Sequence, residues 1–260
     1  MKKKITCEIL SNEKIAKGIY SMWIKYEDAT SVIPGQFVGV YPADRSTLLP
    51  RPISICEADT DKGAIRLVYR VVGKGTDEFS RMSKGDKVDI LGILGNGYDL
   101  TSVEGKSAPV LMAGGIGIPP MLELAKRISA KGVRSSVVLG YRDSETFLAE
   151  EFERYADVYI ATDDGSKGFH GNVIDAMSDY KLIPDIICAC GPMPMLRGVK
   201  AYSERTGAPA YISLEERMAC GVGACLGCVC KTRETDHHSH VKNARICTDG
   251  PVFDAAEVDI

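Results

Sequence analysis

Four cysteines near the carboxyl end restrict what this chain can fold into more than any other feature. Cys220, Cys225 and Cys228 follow a C-x4-C-x2-C spacing within the run CGVGACLGC, and Cys247 comes after a polar insert. That is the ligand order of a plant-type [2Fe–2S] site. Two irons need four thiolates from a loop that wraps closely around them, so the residues between the ligands must be small. Gly221, Gly223, Ala224 and Gly227 meet that need, and glycine allows the positive φ that turns backbone N–H groups toward sulfur. Zinc stands as the alternative, although its sites usually pair ligands as C-x2-C or H-x3-H without a four-residue first gap. His237, His238 and His240 lie inside the insert and read as solvated side chains of a surface loop without function. Cys230 is a spare thiol with no assigned role.

A chain of 260 residues, 45% of them apolar, has room for one large or two ordinary domains with buried cores. Its net charge of −3 offers no broad basic face for nucleic acid. No apolar run reaches the roughly 18 residues that a membrane span requires, so neither nucleic acid nor membrane is an expected partner. The opening MKKKITCEIL has the basic start of a signal peptide, but Glu8 interrupts the apolar part and no cleavage pattern follows. Five of the nine cysteines lie outside the cluster set: Cys7, Cys56, Cys188, Cys190 and Cys230. They form an irregular series suited to reduced thiols, which points to the cytoplasm.

In residues 1–100, short β-branched and aromatic runs recur between Gly, Pro and Asp breaks: KITCEILSNE, GIYSMWIKY, QFVGVYP, RPISICEA, AIRLVYRVVG and KVDILGILG. This pattern predicts an antiparallel β-barrel or sandwich. Three stretches stand out on it: PGQF at Pro34–Phe37, RPIS at Arg51–Ser54 and YRVVGKGT at Tyr69–Thr76. Each has a plain structural reading, with PGQ as a turn, Arg51 as a loop cap and GKG as a hairpin connection. Taken in order they suit FAD. Arg51 puts a cation where a pyrophosphate can dock, with the Ser54 hydroxyl beside a planar ring, and the Gly75 backbone and Thr76 hydroxyl can receive a second phosphate oxygen.

Residues 101–213 change character. Apolar runs (PVLMAGG, VRSSVVLGYR, DVYIATDDG, PDIICACG, APAYISL) alternate with amphipathic ones (PPMLELAKRISAKG, TFLAEEFERYA, GNVIDAMSDY, PMPMLRGVKAYSERTG). Alternating strand and helix predict a doubly wound parallel sheet, an α/β domain. In the first helix Met121, Leu124, Ala125 and Ile128 share the apolar face, Glu123, Lys126 and Arg127 face outward, Pro119 and Pro120 fit the first turn, and Gly132 ends it. Ligands of such sheets sit at the carboxyl ends of the strands. There, Gly114, Gly115 and Gly117 leave bare backbone before a helix for a pyrophosphate, and Cys190, Gly191 and Pro192 form a turn against which a nicotinamide can lie. The TDDGS run places Asp163 and Asp164 where an adenosine ribose is expected; carboxylates accept from ribose hydroxyls and repel a 2′-phosphate, which favours NAD(H). A solvated turn or a helix cap is the other reading of this pair.

Residues 214–260 complete the chain as a small cluster domain. Three blocks therefore stand in order: RPIS and GKGT on a barrel, GGIGIPP and CGPMPML on a sheet, CGVGACLGC in the tail. That order resembles the ferredoxin–NAD(P)+ reductase superfamily. Within it the chain is similar, essentially end to end, to the PyrK family, the electron-transfer subunits of NAD-dependent (class 1B) dihydroorotate dehydrogenases. ISLEERMACGVGACLGCVC matches that family's LSxEERMxCGxGACxxCVC, and the chain closes on CTDGPVF.

The resemblance implies that Arg51, Pro52, Ile53 and Ser54, then Val68, Tyr69 and Arg70, then Gly75 and Thr76, hold FAD. It implies that Cys220, Cys225, Cys228 and Cys247 ligate a [2Fe–2S] cluster. The superfamily reads R-x-Y-[ST] at the first of these places; here Ile53 replaces the tyrosine, which removes a flavin-stacking aromatic and leaves Tyr69 as the substitute. The resemblance also implies an FMN-containing catalytic subunit that oxidises dihydroorotate, a heterotetramer with two copies of each subunit, and electron flow through the cluster and FAD to NAD+ in de novo pyrimidine (UMP) biosynthesis. Met218 and Leu226 are the expected contacts with that subunit. No general acid or base is expected on this chain, because hydride transfer between two bound rings needs positioning more than proton transfer. The rival readings are a subunit of an NADH-dependent ferredoxin:NADP+ oxidoreductase or of a sulfide dehydrogenase. From another class, a non-enzymatic metal or redox sensor would use the cysteine tail and leave the paired nucleotide sites unexplained.

Overall fold

The computed structural model describes residues 3–44, 46–235 and 240–260; His237 and His238 of the insert lie outside them. Six strands, β1 (Lys4–Ala16), β2 (Ile19–Lys25), β3 (Phe37–Tyr41), β4 (Arg51–Asp59), β5 (Ala64–Arg70) and β6 (Lys87–Leu94), close into an antiparallel barrel in the order β1-β2-β5-β4-β3-β6. The period of two that marks a strand is plain in β6, where Val88, Ile90, Gly92 and Leu94 are buried and their neighbours are more exposed. Ile9, Met22, Ile24, Ile55, Ile65, Leu67 and Ile90 fill the interior. The GKG connection corrects the hairpin reading. It opens a helix, α1 (Lys74–Ser80), whose Phe79 plugs the barrel core.

The second unit is a parallel sheet of β7 (Pro109–Gly114), β8 (Ser135–Tyr141), β9 (Ala156–Thr162), β10 (Phe169–His170), β11 (Ile186–Cys190) and β12 (Ala210–Ser213), in the order β10-β9-β8-β7-β11-β12. Helices α2 (Ile118–Ala130), α3 (Ala149–Phe152), α4 (Val173–Asp179) and α5 (Met193–Thr206) connect the strands. The helix expected over TFLAEEFERYA shrinks to α3. Leu148 adopts φ 65°, and the Phe147 carbonyl is taken by the Tyr141 hydroxyl at 2.9 Å, so the first residues of that run never enter a helical ladder.

Helix α2 also carries a correction. Glu123, expected to face outward, is fully buried. Its carboxylate accepts from Ala58 N of barrel strand β4 at 3.1 Å and from Arg127 Nε at 2.6 Å. The face of α2 turned away from its own sheet is covered by the barrel.

The tail folds into a small sheet of β13 (Val229–Thr232), β14 (Asn243–Arg245) and β16 (Val258–Asp259), while β15 (Val252–Asp254) pairs antiparallel with β12 and extends the large sheet. A boundary at residue 214 is thus crossed by a strand of the tail. Among the described residues no helix is long and apolar enough to cross a membrane.

Candidate functional site

The cysteine loop leaves β12 and curls over the end of the barrel. Backbone donors point at sulfur, as the spacing predicts. Val222 N–H reaches Cys220 Sγ at 3.4 Å, Gly223 N–H reaches Cys247 Sγ at 3.2 Å, and Gly227 N–H reaches Cys225 Sγ at 3.4 Å. Gly223 has φ 80°, and a Cβ on it would lie 2.9 Å from Thr248, so no side chain fits where that amide turns inward.

Cys225 acts on the Cys220 thiol, and Cys228 and Cys220 both act on the Cys247 thiol, so the four influence one another within one loop. Among the described residues no group of three or more His, Cys, Asp or Glu gathers in a way that would hold one metal ion. Four cysteines of one loop, with backbone N–H groups turned to three of their sulfurs, suit the ligand set of a dinuclear iron–sulfur centre. The four differ in depth: Cys228 and Cys247 are buried, Cys220 is half-buried and Cys225 is exposed. Burial pushes the Cys220 thiol up, but the N–H groups of Val222, Cys225 and Ala224 together with the Cys225 thiol outweigh it and bring it down to about 6. Burial and the adjacent Cys228 thiol push Cys247 up to about 12. Cys230 stands on β13 opposite Ala244, and His240 is exposed.

At the barrel rim the Arg51 guanidinium lies across Gly75. A Cβ at Gly75 would be 2.8 Å from Arg51 Nε and 3.2 Å from Cζ, so a cation and the bare first turn of α1, with amides that have no intrahelical partner, meet at one point. That is the anion cradle a pyrophosphate needs. Pro52 is exposed and Ser54 half-buried, whereas Ile53 and Val68 point into the core and have only backbone to offer a ligand. Two side-chain expectations are corrected. The Thr76 hydroxyl is engaged by its own turn, accepting from Val72 N at 3.0 Å and Gly73 N at 3.2 Å and donating to Gly73 O at 3.1 Å. Tyr69 is 2% exposed, its ring stacked on Tyr20 inside the barrel and its hydroxyl bonded to Asn12, so it cannot stand in for a flavin-stacking aromatic.

Arg70, exposed at the end of β5, reaches toward the glycine turn of the sheet; a Cβ on Gly115 would lie 3.7 Å from its Nη2. The three glycines of that turn divide their work. Gly114 packs against Pro192 and Met195, and Gly117 against the Cys190–Gly191 peptide, where a Cβ would fall 2.4 Å from Cys190 O. Gly115 alone faces the cleft toward the barrel. The β7 and β11 turns are therefore locked together, in keeping with the Ala113–Cys190 register of their strands. The Cys190 thiol is buried, and burial pushes its pKa far up. Beyond β9 both carboxylates are exposed; Asp164 accepts from Ser166 N at 2.9 Å and Ser166 Oγ at 2.6 Å, while Asp163 spends its backbone N–H on Tyr141 O.

One residue escaped the sequence reading. Glu215, just past the carboxyl end of β12, shares this cleft with Arg70 and Cys190. The residue is exposed as a whole, yet desolvation of its carboxyl raises the pKa, and Arg70 opposes the rise. Its place one residue beyond a strand-end pair was the available signal.

The chain is similar over most of its length to known proteins. Residues 215–259 match the iron-sulfur cluster binding domain of dihydroorotate dehydrogenase B. The dihydroorotate dehydrogenase B (NAD(+)) electron transfer subunit of Listeria innocua serovar 6a is 42% identical over 255 residues, spanning 97% of this chain and 98% of that protein. Its counterpart from Fusobacterium nucleatum is 40% identical over 261 residues, 98% of each chain. A solved chain of an NADH-dependent reduced ferredoxin-NADP oxidoreductase superposes with a TM-score of 0.86 at 30% identity, covering 97% of this chain and 89% of that one. At 40–42% identity over nearly the whole length of both chains, the chain belongs to the family of dihydroorotate dehydrogenase B electron transfer subunits.

Proposed function

We propose that the chain relays electrons between an FMN-containing subunit that oxidises dihydroorotate to orotate and NAD+, and that it does so in the cytoplasm as one member of a heterotetramer with two copies of each subunit. The observation that carries the reading is the loop of Cys220, Cys225, Cys228 and Cys247 with the backbone N–H groups of Val222, Gly223 and Gly227 turned to Cys220, Cys247 and Cys225 Sγ. FAD exchanges electron pairs with a nicotinamide as hydride and single electrons with an iron–sulfur cluster, which is the conversion such a relay requires.

The chain's own residues supply holding and orientation. Arg51 and the first turn of α1 would hold the pyrophosphate of FAD, and Pro52, Ser54 and the backbone of Ile53, Val68, Tyr69 and Arg70 would hold the rest of the cofactor. Gly115, backed by Gly114 and Gly117, would take the pyrophosphate of NAD, the Cys190–Gly191–Pro192 turn its nicotinamide, and Asp163 its adenosine ribose. Arg70 bridges the two cofactor sites. Cys220, Cys225, Cys228 and Cys247 would ligate the cluster, and the amides of Val222, Gly223 and Gly227 donate to Cys220, Cys247 and Cys225 Sγ. The exposed Cys225, with the exposed side chains of Val222, Leu226 and Val229 near it along the chain, would turn the cluster toward the catalytic subunit.

The likeness to the ferredoxin-NADP oxidoreductase chain keeps a second reading in play, in which the partner is another subunit of that kind. Co-purification separates the two. The relay reading requires a brown-yellow protein with about two irons and about one FAD per chain that brings down an FMN protein able to oxidise dihydroorotate. A colourless zinc protein, or a partner without that activity, would overturn it.

A further inference from the structure

The nucleotide and cluster sites leave two conspicuous stretches unused, the PGQF turn at Pro34–Phe37 and the TDGP run at Thr248–Pro251. The fold brings them to opposite sides of one short segment, Gly95–Gly97, where the chain leaves the last barrel strand. From one side Gln36 holds that segment. Its Nε2 donates to Gly95 O at 2.8 Å while its Oε1 accepts from Ile33 N at 2.8 Å, and Tyr98 N–H closes the turn onto Pro34 O at 2.8 Å.

From the other side Asn96 donates to three consecutive carbonyls. Its side-chain amide reaches Thr248 O at 3.0 Å and Asp249 O at 3.2 Å, and its backbone N–H reaches Gly250 O at 2.6 Å. The approach is close: a Cβ on Gly95 would lie 2.6 Å from Pro251 Cδ and 2.9 Å from Phe37. The receiving segment is itself stiff. Arg245 O accepts from Thr248 N at 3.0 Å and Asp249 N at 2.7 Å, and the Arg245 guanidinium pairs with Asp249 at 3.0 Å. Cys247 sits inside that closed turn.

We propose that Gln36, Asn96 and residues 248–251 form a clamp that fixes the Cys247 side of the cluster loop relative to the flavin barrel, with Asn96 as its positioning residue. The clamp rests on the flavin-and-cluster reading above. Those two sites are joined covalently only through the whole α/β domain, so local chain geometry does not set their separation. Three bonds from one residue do, because the segment beside Cys247 cannot rotate or slide without losing all of them. Electron transfer depends on that separation, as any step does that needs its reactants held at a fixed distance.

Asn96→Ala in the holoprotein removes both side-chain bonds and keeps the backbone one. Amide exchange at residues 248–250 is expected to speed up about tenfold. Iron content, flavin content and the rate of flavin bleaching by NADH are expected to hold at wild-type values. Electron transfer from flavin to cluster, followed by the cluster's paramagnetic signal in freeze-quenched samples, is expected to slow roughly tenfold or more. Gln36→Glu keeps the Ile33 contact and loses the donor to Gly95; it is expected to shift the same two readouts the same way by a smaller factor, and serves if N96A does not fold. Unchanged exchange and unchanged flavin-to-cluster transfer overturn the clamp and leave the functional reading standing. Iron lost from N96A with flavin retained also overturns it, since Asn96 would then support the cluster rather than place it. A wild-type protein lacking both flavin and iron would remove the reading on which the clamp rests.

Discussion

The four cysteines of the tail lie in one loop but in unlike surroundings, from exposed Cys225 to buried Cys228 and Cys247. The ligand order was legible because the spacing of Cys220, Cys225 and Cys228 is a local property of the chain. Depth was not: Cys225 is exposed and Cys247 buried because of what packs on the loop. Cys225→Ala is expected to abolish the cluster's absorbance while NADH still bleaches the flavin; loss of both together would make the tail a support for the whole fold. At the barrel rim Arg51→Ala removes a charge-assisted hydrogen-bond donor, and flavin titration is expected to show binding weakened about tenfold to a hundredfold. An unchanged affinity would take the pyrophosphate away from Arg51. Thr76 and Tyr69 show why residue type alone misleads. A hydroxyl or a ring placed beside a candidate ligand in sequence is spent elsewhere once a turn closes on it or a barrel encloses it.

Among the elements, strands were the more legible, since β-branched runs between breaks survive packing with little change. Helices at turns were less so. The GKGT stretch reads as a hairpin connection until Phe79 is seen to anchor α1 in the barrel core, and the run before α3 fails as a helix because Tyr141 takes the Phe147 carbonyl. The glycine turn after β7 was placed correctly, but its glycines serve packing as much as ligand access. Gly117→Ala would push a Cβ to 2.4 Å from Cys190 O and 2.6 Å from Gly191 N, and backbone cannot yield there as a flexible side chain would. The expected cost is about 2 kcal/mol, a fall in Tm of about 4–8 °C for a chain of this size, with a raised KM for NADH. Wild-type values for both would show that the two turns are not locked together.

On the scale of the whole molecule, the barrel and the sheet are joined by buried charge. Arg66 donates to Ser21 Oγ at 2.8 Å and pairs with Glu151 at 2.5 Å, Lys126 bridges to Glu57 at 3.0 Å, and Glu123 caps Ala58 N. This network spans β4, β5, α2 and α3, the surfaces whose relative placement sets the distance from flavin to nicotinamide. Arg66→Met strands Glu151 and is expected to cost about 2 kcal/mol, less than a fully buried pair because the Glu151 side chain is 33% exposed. Thermal melts would register that loss, and stopped-flow bleaching of the flavin by NADH should slow with it. A variant that melts lower yet bleaches at the wild-type rate would separate stability from domain placement.

Chain order, hydrophobic period and cysteine spacing were enough to name a barrel, a parallel sheet and a cluster tail, because each depends on residues close together along the backbone. They could not show that Glu123 is buried, that β15 completes the sheet of the domain before it, or that Asn96 and Gln36 grip the segment beside a cluster ligand. Those contacts join residues scores of positions apart. They exist only once the packed elements have chosen which faces to hide, a choice made by complementary shape and satisfied hydrogen bonds rather than by any local pattern.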